Sequence, residues 1–139
     1  MSSCVFCEIE AGDRQAHLVH EDPQVVAFLD RRPVFPGHVL VVPRAHHETL
    51  PELPADLVGP YFAAVQRITG AVIEAMEADG AFVAQNNTVS QSVPHLHFHV
   101  VPRRFKDGLK GFFWPRHPYE SEAEAADAAV RIRAALGRG

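Results

Sequence analysis

His95-Leu96-His97-Phe98-His99-Val100, continued by Val101 and enclosed by Pro94 and Pro102, alternates imidazole and apolar side chains over six residues. On a strand, successive side chains face opposite ways, and residues two apart stand about 6.6 Å from each other along one face. The stretch from Pro94 to Pro102 therefore predicts a strand with Leu96, Phe98 and Val100 turned into a core. His95, His97 and His99 share the opposite face. Three imidazoles in a row are poor core material and poor strand formers unless they meet something polar. A metal ion or a phosphate answers that need; a solvated, histidine-rich face is the plainer alternative.

The flanking sequence supplies a frame for such a strand. Val25 to Leu29 and His38 to Val42 are apolar, β-rich runs bounded by Asp22-Pro23, Asp30, Pro36-Gly37 and Pro43, and both predict strands with a turn at Pro36-Gly37. From Ala55 to about Ala78, Leu57, Phe62, Val65, Ile68, Val72, Ile73 and Met76 recur at three- and four-residue steps, the period of a helix with one apolar face. Pro60 fits its first turn, and Asp79-Gly80 ends it. Ala81 to Ala84 begins a further strand, Gln85 to Thr88 a loop. Ser121, with Glu124 three residues on, caps a last helix running to about Leu136. This order predicts an α+β fold.

Composition narrows the function. The chain has 139 residues, a formal charge of −4 and a pI near 6.1, which excludes the basic footprint of a nucleic-acid coat. No apolar run approaches the roughly 18 residues of a membrane span. Two cysteines are too few for a disulfide framework, and Met1-Ser2-Ser3-Cys4 lacks the pattern of a secretory signal, so a cytoplasmic location is expected. Nine histidines against 13 Lys+Arg are the compositional anomaly.

Gln91-Ser92-Val93-Pro94-His95-Leu96-His97-Phe98-His99-Val100-Val101-Pro102-Arg103 resembles the signature of the histidine triad superfamily of nucleotide hydrolases and transferases. Asp30-Arg31-Arg32-Pro33 and Pro36-Gly37-His38 through Pro43-Arg44-Ala45-His46 resemble its upstream strand pair, and Cys4-Val5-Phe6-Cys7-Glu8-Ile9 the opening of its bacterial members. The resemblance covers residues 4 to 104. It implies a mainly antiparallel five-stranded sheet with a central and a C-terminal helix, residues 1–104 forming the core and 105–139 a tail of the same domain.

The resemblance also implies roles. His97 is the nucleophile on the α-phosphorus, giving a nucleotidyl-histidine that water hydrolyses. An imidazole is uncharged yet nucleophilic at neutral pH, as that step requires. His99 and His38 serve the phosphate, with Gln91 and Ser92 as neutral donors. Asp30 receives the ribose hydroxyls, although Asp before Arg-Arg-Pro also suits a turn. Val5, Phe6, Ile9 and Phe28 match the base cleft, and each is equally acceptable as plain core. Asn86 matches a polar ribose- or phosphate-side residue. The loop Asn86 to Gln91 departs from the family pattern, being short and lacking a glycine before Gln91.

Cys4-x-x-Cys7 alone is a weak signal, compatible with two inert thiols. Likeness to zinc-bearing members implies a structural zinc on Cys4, Cys7, His46 and His95, with His47 as the rival to His46. His17, His20 and His117 are expected at the surface without partners. Arg103, Arg104, Lys106, Lys110 and Arg116 make a local positive tract that either lies in solvent or steers polyphosphate. Phe112-Phe113-Trp114 packs on its own domain or on a second protomer. The implied ligand is a purine nucleotide and the implied assembly a homodimer, with no nucleic-acid or membrane partner. Two other readings remain at this level: a nucleotide-binding regulatory dimer with weak hydrolysis, and a metal-dependent hydrolase using the histidine strand as ligands.

Overall fold

A computed structural model describes residues 4–109 and 116–137. Five strands form one antiparallel sheet in the order β1-β2-β3-β5-β4: β1 Leu18–Glu21, β2 Val25–Leu29, β3 Val39–Pro43, β4 Gly80–Ala84 and β5 Phe98–Arg103. A short helix, α1 (Val5–Glu10), precedes the sheet, α2 (Ala55–Ala75) joins β3 to β4, and α3 (Glu122–Gly137) ends the chain. The expected α+β architecture is thus the observed one.

The runs in β2 and β3 are continuously apolar because both faces of the sheet are covered. Val25, Ala27, Val39, Val41, Leu96 and Val100 pack against Tyr61, Val65, Ile68 and Val72 of α2. The residues between them, Val26, Phe28, Leu40 and Val42, pack against Phe6 and Ile9 of α1. Alternation along each strand therefore sends one set of side chains to the long helix and the other to the short one.

Several boundaries differ from the sequence expectation. The strand expected from Pro94 begins only at Phe98, because the Leu96 N–H bonds the His47 carbonyl at 2.7 Å and the His95 N–H turns back to Val93 O at 2.8 Å. Leu96 and Val100 nevertheless face α2 as the alternation requires. β3 begins one residue late, at Val39, since the His38 N–H closes a turn onto Phe35 O at 3.1 Å. Pro60 is the sixth residue of α2, past its first turn. That helix stops at Ala75 through a Schellman closure, with Ala78 N–H on Ile73 O at 2.9 Å and Glu77 N–H on Glu74 O at 3.2 Å. Glu77 occupies the left-handed position at φ 51°, where glycine is the usual signal.

The described residues up to Asp107 form one compact unit and those from Gly108 a second. In the second, the Glu124 N–H bonds Ser121 Oγ at 3.1 Å, which caps α3 as expected. Lys110 and Phe112-Phe113-Trp114 lie outside the described residues. No helix among the described residues is long and apolar enough to cross a membrane.

Candidate functional site

Strand register builds the floor of a slot. Phe28 pairs with Leu40, and Leu40 with His99, so the three lie in one row across β2, β3 and β5. Over this row lies α1, whose Phe6 ring meets Phe28 edge-on at 5.3 Å between centroids and His97 at 5.0 Å. Val5, Phe6, Ile9, Phe28 and Leu40 wall the slot, and Asp30, Ser92, His97 and His99 line it with polar groups.

Each of these four imidazoles, His38, His95, His97 and His99, has a tautomer dictated by its neighbours, since a carbonyl only accepts and a backbone N–H only donates. His97 Nδ1 lies 2.8 Å from His95 O and must carry the proton, which leaves its Nε2 lone pair bare. His95 Nε2 donates to Pro43 O at 2.8 Å, which leaves Nδ1 bare. His38 Nδ1 accepts the Val34 N–H at 3.1 Å, so its proton sits on Nε2. That Nε2–H donates to His99 Nδ1 at 3.0 Å, which places the His99 proton on Nε2. Asp30 Oδ2 stands 3.6 Å from His38 Nε2, and Asp30 Oδ1 accepts the Arg32 N–H at 2.9 Å.

Burial holds these rings neutral. It pushes His99 down to about 4, helped by the like charges His97 and His38 would carry and opposed by Asp30. His97 and His38 are also pushed below their ordinary value, chiefly by burial, with Asp30 resisting in both cases. Burial takes His95 down to about 4 as well, against its bond to Pro43 O.

The bare His95 Nδ1 faces two thiols, with Cys4 Sγ at 3.4 Å and Cys7 Sγ at 3.5 Å. His46 Nδ1 lies 3.3 Å from Cys7 Sγ. Tetrahedral zinc with ordinary bond lengths puts S and N about 3.6 Å apart, close to these three separations, and all four donor atoms lie within 4.8 Å of one another. Burial and the nearby Cys4 thiol and Glu10 push the Cys7 thiol up to about 11, so it stays protonated at neutral pH, and binding a cation there would release its proton. His46 joins this cluster; His47 does not.

Asp30, His38 and His99 also bring donor atoms within 4.8 Å of one another. That trio suits a metal poorly. Coordination through His38 Nε2 would move its proton to Nδ1, against the Val34 N–H at 3.1 Å.

Two expected site residues stand elsewhere. The Gln91 amide donates to Glu48 O at 2.6 Å and accepts the Thr88 N–H at 2.8 Å, while Asn86 Nδ2 reaches Ser90 O at 3.3 Å. Thr88 and Ser90 hold this loop with φ of 69° and 62°, values glycine adopts more easily. Sequence reasoning missed the Val34 N–H, which has no side-chain signal, and Leu40, whose place beside Phe28 depends on the register between β2 and β3. It also missed Arg14 on the slot rim. His20, expected without a partner, pairs with Asp22 at 2.8 Å, and that bond lies first among the influences lowering the Asp22 carboxyl, against its burial.

A family model described as HIT domain matches residues 11–106. Protein hit of Bacillus subtilis is 39% identical over 124 residues, 88% of this chain and 86% of that protein. An adenosine 5'-monophosphoramidase of Schizosaccharomyces pombe is 33% identical over 122 residues, 86% of this chain and 89% of its own length. Among solved structures, a zinc-bound histidine triad family protein from Mycobacterium smegmatis superimposes with a TM-score of 0.73 at 38% identity, covering 96% of this chain and 97% of that one.

Proposed function

This chain belongs to the HIT domain family, and we propose that it is a nucleotide hydrolase or transferase cleaving at the α-phosphate of nucleoside phosphoramidates or dinucleoside polyphosphates. One observation carries the reading: the His97 Nδ1–H bond to His95 O at 2.8 Å, which leaves a bare Nε2 in the slot. In the first half-reaction Nε2 forms a bond to the α-phosphorus while the bond to the leaving nitrogen or oxygen breaks. The leaving group departs with the electron pair and takes up a proton. Water then attacks the same phosphorus, the P–N bond to His97 breaks, and the mononucleotide leaves.

The neighbours prepare that exchange. The Val34–His38–His99 chain presents the His99 Nε2–H as a fixed donor for a phosphate oxygen, and donors set in advance around developing charge are effective catalysts. A bound phosphate adds negative charge beside these rings, which favours their protonation and so assists the leaving group. Ser92 is a further donor, Asp30 takes the ribose hydroxyls, and Val5, Phe6, Ile9 and Phe28 hold a purine. Gln91 is assigned to the phosphate side and Asn86 to the ribose or phosphate side, roles that require exchanging their present bonds to Glu48 O and Ser90 O. Cys4, Cys7, His46 and His95 would hold a structural zinc that ties α1 to the histidine strand. The reading takes residues 1–104 as the working core, 105–139 as a tail of the same domain, a homodimer as the assembly and the cytoplasm as its place.

Support from relatives is of the same kind, since an adenylylsulfatase of Arabidopsis thaliana is 30% identical over 139 residues, 95% of this chain and 68% of that protein. The test is to trap labelled AMP on the protein during turnover of adenosine 5'-phosphoramidate, diadenosine triphosphate or diadenosine tetraphosphate. The adduct is expected in the wild type, with or without a chelator, and is lost in His97→Ala. No adduct and no turnover across that panel would sink the reading. A requirement for added phosphate would convert it to a phosphorylase.

A further inference from the structure

Arg14 and Arg31 both border the nucleoside slot and a polar recess beside it. Arg31 follows Asp30 directly. Arg14 is built differently. Its Nε donates to Glu8 Oε2 at 3.0 Å, and its backbone N–H reaches Glu8 O at 3.2 Å. Glu8 belongs to α1, the helix whose Val5, Phe6 and Ile9 wall the slot. Clamped through Nε, the guanidinium leaves its two Nη groups without a partner among the described residues. The result is a planar pair of donors on the rim of a slot whose Val5, Phe6, Ile9, Phe28 and Leu40 walls are apolar.

We infer that Arg14 reads the base, and that the slot prefers a purine with two adjacent acceptors, guanine or hypoxanthine, over adenine. This rests on the nucleotide reading above. Asp30, His97 and His99 serve the ribose and phosphate in that reading, and they stand together: Asp30 lies 3.6 Å from His38, and His38 lies 3.0 Å from His99. The base then occupies the apolar part, where Arg14 offers its donors. A guanidinium donates five N–H groups and accepts nothing. O6 and N7 of guanine or hypoxanthine receive a fork of two donors, whereas adenine sets its N6 amino group against one of them. The Glu8 carboxylate offsets the positive charge, so discrimination comes from the fork geometry. With the Arg14 side chain 42% exposed, a preference of about tenfold is expected, the lower part of the range for a bidentate arginine–purine pair.

Equilibrium binding of GMP, IMP, AMP and 7-deaza-GMP to the full chain tests this. GMP and IMP are expected to bind about tenfold more tightly than AMP, and 7-deaza-GMP to lose most of that advantage. In Arg14→Leu the GMP:AMP ratio falls towards one, and Arg14→Lys, which keeps charge but not the fork, fails to restore it. Equal affinity for GMP and AMP in the wild type overturns the inference while leaving the nucleotide reading intact. A ratio restored by lysine also overturns it, in favour of simple charge. Failure of all four nucleotides to bind overturns the nucleotide reading itself.

Discussion

His38 Nε2 and His99 Nδ1 stand 3.0 Å apart, and the Val34 N–H on His38 Nδ1 decides which of the two nitrogens carries the proton. The relay exists only while both rings are neutral. Burial and the neighbouring imidazoles hold His99 down to about 4. Nitrogen NMR of the free protein is therefore expected to show His99 as the Nε2–H tautomer from pH 8 to about 5. Asp30 favours the protonated ring, so Asp30→Asn lowers the midpoint further. The linkage has a definite sign: above the unfolded value of about 6.5 both states are neutral, and between there and about 4 only the unfolded chain takes the proton. Stability contributed by this ring is thus full above 6.5 and falls as the pH drops. A His99 midpoint near 6.5 would contradict the relay.

Zinc on Cys4, Cys7, His46 and His95 would be felt well beyond the four ligands, because Phe6 lies between the two cysteines and touches both His95 and His97. Elemental analysis after gentle purification is expected to give one zinc per chain, and Cys7→Ser to give almost none. An ion held at a thousand times its dissociation constant adds about 4 kcal/mol, so chelation should lower Tm by about 10 °C or more. AMP affinity should weaken along with it as the α1 wall loosens. Less than half an equivalent of zinc, or an unchanged Tm on chelation, argues for two inert thiols.

The parts legible in the sequence were those written as side-chain periodicity. Alternation placed Leu96 and Val100 on the helix side, and the three-four spacing placed Val65, Ile68 and Val72 against them. The Cys4, Cys7, His46 and His95 cluster was legible only through family likeness, since Cys4 and His95 are distant in sequence and meet because α1 folds over the strand. What stayed hidden lies in backbone groups and in residues without a pattern. The Val34 N–H leaves no trace in sequence. β1 is an edge strand with little burial, so Leu18–Glu21 shows no alternation. The six residues of α1 are too few for a helical period to register.

Tyr61 went unnoticed within the apolar face of α2, yet its hydroxyl donates to Val41 O at 2.7 Å from a side chain only 1% exposed. Tyr61→Phe keeps the packing and removes a buried hydrogen bond. The expected cost is about 1–2 kcal/mol, read as a fall in Tm of about 3–8 °C. Because Tyr61 packs on the face of the sheet away from the slot, AMP affinity should hold. A fall in affinity as large as the fall in stability would show that the two faces are coupled through β3.

Gly37 holds φ at +96° immediately before His38, and a Cβ there would lie 2.6 Å from Met76 Cγ and 2.9 Å from Met76 Sδ. Gly37→Ala therefore meets two separate obstacles, a backbone conformation that costs a non-glycine residue about 1–3 kcal/mol and a collision with Met76, the residue that caps α2. The methionine is flexible and can yield, so the backbone term dominates. We expect a loss of about 2 kcal/mol, together with a drop in kcat/KM, because the turn that strains is the one aiming His38 at His99. Adding Met76→Ala removes the collision but not the strain, so the double variant should recover a minor share beyond the sum of the single effects. Full recovery would assign the whole effect to packing. A Gly37→Ala protein within 0.5 kcal/mol of the wild type would mean that the turn relaxes freely, and that His38 is held by Val34 and His99 rather than by the backbone before it.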